Sequence, residues 1–273
     1  MSQGFHVVFR AVDDRVLAPD DATRRALAGC LLRVGRTRGL FGLGAADTHA
    51  HALLAGNAAT AGRFVHDARL SLPVVLGIPM AAASVKPLRD VWHAESALGY
   101  VHRQDTHHGV VADPYREATT LPDLLGLRLG HLWTAQRVRE VVPRVSRASL
   151  LAHWGLDALV EGFDLDLLAE AGAAAAGVAT LVGKSPRVVE VRRACIFAAA
   201  GESPSRVAEA LGIATRTLRE LRESPAAPLA LRAVRLQMGL RLARPRVDPF
   251  VDDCIACERD PRAVGLPGGV SGG

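Results

Sequence analysis

Asp47-Thr48-His49-Ala50-His51-Ala52-Leu53-Leu54 places two histidines two residues apart at the head of an apolar, strand-like run. On a β-strand, residues two apart project from the same face. His49 and His51 can therefore turn both imidazoles to one side while Ala50 points into a core. Neutral imidazole is a common transition-metal ligand. The pair carries little by itself: ten His in 273 residues make some His-x-His about one chance in three, and two half-buried strand histidines need no metal.

The surroundings of this strand decide the fold. Upstream, Gly4-Phe5-His6-Val7-Val8-Phe9-Arg10 reads as a short β-run. Asp20-Asp21 then opens a helix in which Leu27, Cys30, Leu31 and Val34 recur at helical spacing, ending near Gly39. Leu40 to Gly56 is rich in Gly and Ala and strand-like at Ala52-Leu53-Leu54. A helix follows over roughly 58–69, and Ala83 to Arg89 reads as another strand, which Pro87 places at an edge or a bulge. Asp90 can cap the next helix, Val91 to about Asp105, and Gly109 and Pro114 close that region. The order β-α-β(β)-α-β-α predicts an α+β fold with a ferredoxin-like antiparallel sheet and packed helices.

The last of these helices holds Ala97-Leu98-Gly99-Tyr100-Val101-His102-Arg103-Gln104. Residues i and i+4 share a helix face, so Tyr100 and Gln104 point the same way. A glutamine carbonyl oxygen is a neutral donor that can complete a metal site begun by two imidazoles, and the phenol then stands beside whatever phosphate the metal binds. With two Tyr and four Gln in the chain, a chance Tyr-x-x-x-Gln has a frequency of only about 3%. Tyr115, the other tyrosine, follows Pro114 and has no Gln four residues on. His93, seven residues before Tyr100, reads as a packing or DNA-contacting residue, His107-His108 as solvated, and His6 as structural. If the Tyr100 phenol is to lose its proton, metal-bound water, His102 and His107 are the candidate bases.

These motifs resemble the HUH single-tyrosine transposases, especially the branch associated with repetitive extragenic palindromes. The resemblance runs from Gly4-Phe5-His6-Val7 through His49-Ala50-His51 to Tyr100 with Gln104, over roughly residues 1–115. It implies that His49, His51 and Gln104 bind a divalent metal, Mg²⁺ or Mn²⁺, and that Tyr100 attacks single-stranded DNA. The product would be a covalent 5′-phosphotyrosine and a free 3′-OH, allowing nicking and strand transfer in DNA transposition. Asp47-Thr48 stand where the family often has Pro-Asn, and the family's Gly-x-x-Trp-x-x-Arg-Phe stretch is not recognisable here. The alternative is a catalytically inactive, domesticated DNA-binding relative. A replication-initiation or relaxase relative would more naturally show a third His where Gln104 stands.

Beyond about residue 116 the pattern is helical: Leu121-Pro122-Asp123-Leu124-Leu125, Ser146 to Trp154, Leu165 to Thr180, and an amphipathic Arg187 to Ala200 closed by Gly201. Ser205 to Leu211, Gly212, then Thr215 to Arg222 form a helix-turn-helix pattern. Its DNA-facing candidates are Arg206, Thr215, Arg216, Arg219 and Arg222, suited to the stem of a folded hairpin. Charge agrees: from Arg187 to Arg246 there are 12 Arg and 5 Glu with no Lys or Asp, 12 − 5 = +7, against +5 for the whole chain. The domain reading is a transposase-like unit over 1–115, a helical linker region over 116–184, a helix-turn-helix region over 185–245 and a loose tail over 246–273.

Four Cys in so long a chain are no disulfide framework. Cys254-Ile255-Ala256-Cys257 lacks the two further ligands a zinc site needs, and Gly42-Leu43-Gly44 lacks the rest of a nucleotide-binding fingerprint. No stretch is long and apolar enough to span a bilayer. These features predict a cytoplasmic protein without a membrane partner; the resemblance and the helix-turn-helix pattern imply single-stranded and hairpin DNA as the partner, and a homodimer is compatible with them.

Overall fold

A single antiparallel sheet is built from β1 (Gly4–Arg10), β2 (Leu40–Ala45), β3 (His49–Ala55) and β4 (Ser84–Leu88), in the spatial order β2-β3-β1-β4. This computed structural model describes residues 4–104, 118–153 and 162–243. Helices α1 (Asp21–Gly35) and α2 (Ala58–Leu76) connect the strands, and α3 (Val91–His102) follows β4. The result is an α+β fold with a four-stranded antiparallel sheet, as the strand and helix spacing predicts.

The caps lie where local chemistry puts them. Asp20 accepts from Thr23 N at 2.7 Å and Asp90 from His93 N at 2.8 Å, each satisfying one amide at an exposed helix start. Helix α2 runs past the expected 58–69 to Leu76, carrying Pro73 inside it, and closes on Gly77 at φ 68°. A left-handed closing residue is a natural place for glycine.

The two sheet faces differ. One carries Val7, Phe9, Ala50, Ala52, Leu43 and Leu54 into a core completed by Leu27 and Leu31 of α1 and Phe64 and Leu72 of α2. The other carries His6, Val8 and Arg10 of β1 opposite Leu53, His51 and His49 of β3. Helix α3 covers the β2–β3 part of this second face through Leu98 and Val101, which pack with Phe41, Leu53 and Leu88. The β1–β4 part stays open.

The chain after α3 returns to the sheet. Ala118 O accepts from Ala45 N and Leu43 O from Thr120 N, both at 2.9 Å, so residues 118–120 run along the edge of β2. Helices α4 (Leu121–Leu125) and α5 (Leu132–Val141) add Leu124, Val138 and Val141 to the core beneath α3, and α6 (Arg147–His153) follows. A separate apolar core joins α7 (Leu168–Ala176), α8 (Pro186–Ala198), α9 (Pro204–Ala210), α10 (Thr215–Arg222) and α11 (Pro228–Ala243). Thus part of the stretch read as linker lies on the sheet and part in the C-terminal core.

Cys30 and Cys195 are free and buried, and burial pushes the Cys195 thiol up to about 12. Cys254 and Cys257 lie outside the described residues. Among the described residues no helix is long and apolar enough to cross a membrane.

Candidate metal and tyrosine site

The period of β3 turns His49 and His51 to the α3 side of the sheet, with ring centroids 4.6 Å apart, and sends Ala50 into the opposite core. Helix α3 reaches them because Gly42 and Gly44 of β2 carry no side chains beneath it. A Cβ on Gly44 would stand 2.1 Å from the Val101 carbonyl oxygen, and one on Gly42 3.0 Å from Leu98 Cδ1. The glycines that carry no nucleotide fingerprint therefore have a different use: they let the tyrosine helix close on the sheet.

That approach brings the separated residues together. Gln104, fully buried, puts Oε1 3.0 Å from His49 Nε2, and its Nε2 donates to the Tyr100 carbonyl at 3.4 Å. The Tyr100 ring meets the His51 ring edge-on at 5.5 Å and is 39% exposed, facing solvent while the imidazoles behind it are buried. His49 Nδ1 is hydrogen-bonded to Thr48 Oγ1 at 2.9 Å, and His51 Nδ1 to His6 Nε2 at 2.8 Å. Both imidazoles thus have Nδ1 held from behind. His49, His51, Tyr100 and His6 line a concavity of about 640 Å³ whose other walls are Val8, Arg10, Ser84 and Lys86.

His6, expected to be structural, stands at the candidate site itself. It hydrogen-bonds a candidate ligand and lines the concavity. Burial, with Lys86 and His93 adding positive charge, lowers its pKa to about 4, so its imidazole is neutral near pH 7. Its contact with His51 spans 45 residues and follows from the β1–β3 register, which no local motif encodes. His93 is exposed, and its Nδ1 accepts from Arg89 N at 3.3 Å.

His102 is not the base considered above. Two residues past Tyr100 on a helix, it turns to the opposite side, where it is 2% exposed and bonded to Thr120 Oγ1 at 3.1 Å. Burial lowers its pKa to about 3. The unfolded chain binds this proton near the ordinary pKa of 6.5 and the folded chain does not, so stability is full above pH 6.5 and falls as pH drops toward 3. Urea unfolding at pH 7 and pH 4.5 should show the native protein losing about 2 kcal/mol more than His102→Gln over that interval. Equal losses would mean that His102 is not buried neutral. His107, His108 and Tyr115 lie outside the described residues.

Among the described residues no group of three His, Cys, Asp or Glu side chains is disposed to hold a metal ion. The candidate set differs from such groups in taking an amide oxygen as its third donor.

In the C-terminal region, α9 and α10 are joined by a tight turn with Gly212 at φ 61° and Ile213 N donating to Ala208 O at 2.9 Å. Leu218, fully buried, anchors α10, while Arg216, Arg219 and Arg222 are exposed on it and Thr215 is half-buried at its start. Arg206 pairs with Glu202 at 3.1 Å and Arg216 with Glu220 at 2.9 Å, in exposed pairs of the kind that contribute little to stability. Neither a family model, nor a curated protein, nor a solved structure matches this chain.

Proposed function

We propose that the chain is a metal-dependent enzyme that nicks and rejoins single-stranded DNA, with Tyr100 as nucleophile and His49, His51 and Gln104 as metal ligands. The observation that carries the reading is the meeting of His49 Nε2 with Gln104 Oε1 at 3.0 Å beside the exposed Tyr100 ring. The two groups are hydrogen-bonded, and two ligands at right angles on an ion with bonds of roughly 2.1 Å stand about as far apart, so an ion would replace that hydrogen bond with little movement of either group. The β-α-β-β-α-β sheet order supports the HUH-type, ferredoxin-like arrangement to which the motifs point.

A bound Mg²⁺ or Mn²⁺ would act as a Lewis acid on the scissile phosphate. The protein's own part is positional. Thr48 and His6 hold the Nδ1 atoms of His49 and His51, which aims the opposite ring nitrogens at the ligand position. The Tyr100 oxygen forms a bond to phosphorus as the bond from phosphorus to the 3′ oxygen breaks. The phenolic proton passes to a base in the solvent-facing concavity, and the departing 3′ oxygen takes up a proton. The 5′-phosphotyrosine conserves the energy of the broken bond, so a 3′-OH can reverse the step and transfer the strand. The exposed α10 arginines suit the duplex stem of a hairpin substrate, with α10 as a recognition helix.

Incubating the protein with a labelled hairpin oligonucleotide and Mn²⁺ should give a covalent adduct stable to denaturing electrophoresis. Tyr100→Phe should give none while still binding the oligonucleotide, and chelator should abolish the native adduct. An adduct in the Phe protein would show that another residue is the nucleophile. Salt-sensitive binding without any native adduct would favour the non-catalytic DNA-binding alternative.

A further inference from the structure

The concavity contains two cations that no step above uses. In register, Lys86 of β4 stands opposite His6 of β1, Ser84 opposite Val8, and Val8 in turn opposite His51 of β3. Arg10 stands opposite His49. Directly paired residues share a sheet face, so these side chains form three rows that run from the open β4 edge toward the part covered by α3. Lys86 heads the first row, Arg10 and His49 make the third, and the middle row contains His51. The two cations are four register positions apart, roughly 13 Å, with the row of His51, whose ring meets Tyr100 at 5.5 Å, between them.

We infer that Lys86 and Arg10 each take a backbone phosphate of a single DNA strand that crosses the β1–β4 part of the sheet, one on either side of the nucleotide presented to Tyr100. This rests on the nicking reading and deepens it by assigning the strand's path. Lys86 is exposed and lines the concavity. Arg10 is exposed as well, and its pairing with Asp14 at 3.8 Å joins two largely solvated side chains, so a phosphate can displace the carboxylate at little cost. Ser84 supplies a hydroxyl between the cations and Val8 an apolar floor for sugar or base. Helix α3 closes the opposite side of the groove, which leaves the line from Lys86 to Arg10 as the open route past Tyr100.

The test uses the full chain carrying Tyr100→Phe, so that binding is read without chemistry. Anisotropy of a fluorescent single-stranded oligonucleotide is followed across a salt series for this protein and for versions adding Lys86→Gln, Arg10→Gln, both, or Arg69→Gln on the exposed side of α2. Each phosphate contact on a single strand contributes a slope of about 0.7 in the log–log salt plot. Each single substitution should lower the slope by about 0.7, the pair by about 1.4, and Arg69→Gln should leave it unchanged. An unchanged slope in the double variant, an equal fall with Arg69→Gln, or no binding by the Tyr100→Phe protein would each overturn the assignment. The nicking reading is judged separately, by the adduct of the native protein. An adduct with an unchanged slope would remove the path and keep the reading, whereas a lowered slope without an adduct would keep the path and remove the reading.

Discussion

Replacing Gly44 with alanine is expected to cut covalent adduct formation by about 100-fold or more and to destabilise the fold by about 1–3 kcal/mol. The cause is one atom. The added Cβ would lie 2.1 Å from the Val101 carbonyl oxygen and 3.0 Å from its Cγ1. The nearest obstacle is helix backbone, which cannot swing aside as a long side chain can. Either β2 must shift, disturbing its pairing with β3 at His51, or α3 must lift from the sheet. In both cases Gln104 and Tyr100 move relative to His49 and His51, and a displacement of about an ångström suffices to disable positioned chemistry. Gly62→Ala in α2 is the control: its Cβ meets nothing within 4 Å, and alanine in a helix interior should be neutral or stabilise by up to about 1 kcal/mol. Urea midpoints and adduct yield measured on both variants check this. A Gly44→Ala protein with native stability and native yield would mean that α3 does not sit so close to β2.

The residues that meet at the candidate site were legible where their spacing is local. His49 and His51 share a face because a strand repeats every two residues, and Tyr100 and Gln104 share one because a helix returns after about four. The caps at Asp20 and Asp90 were legible for the same reason. What the sequence did not disclose depends on pairing between distant segments. His6 meets His51 only through the β1–β3 register, and His102 finds Thr120 only because residues 118–120 return to line β2. Two helices were also not legible, because polar residues stand among the apolar ones on their buried faces. Helix α5 buries Thr134 with Val138 and Val141. Helix α11 buries Gln237 and Arg241 among Ala230, Ala233, Val234 and Met238; Arg241 donates to Gln237 Oε1 at 2.6 Å, and the two reach Leu127 O and Glu170. Buried polar residues paired across the fold blur the hydrophobic repeat that would reveal such a helix.

Asp123→Ala is expected to destabilise the protein by about 3–5 kcal/mol, the usual cost of stranding one partner of a buried ion pair. Arg128 donates from Nε to Asp123 Oδ1 at 2.9 Å and from Nη2 to Oδ2 at 2.5 Å, with both residues at most 4% exposed. The same Nη2 donates to Thr119 O at 2.7 Å, which ties the pair to the segment along β2. Thr120, next in sequence, bonds both His102 and Leu43 N. The pair therefore braces the edge against which the tyrosine helix is packed. Arg128 runs past Gly177, at φ 66°, where a Cβ would come 2.9 Å from its Cδ. Removing the carboxylate leaves a guanidinium with its charge unmatched in a buried place, whereas removing both charges avoids that penalty. Asp123→Ala combined with Arg128→Met should accordingly be more stable than Asp123→Ala alone. Loss of the exposed Arg216–Glu220 pair should cost under about 1 kcal/mol. Urea unfolding of the four proteins decides the matter: a double variant as unstable as the single one would locate the loss in packing around Asp123 rather than in the stranded charge.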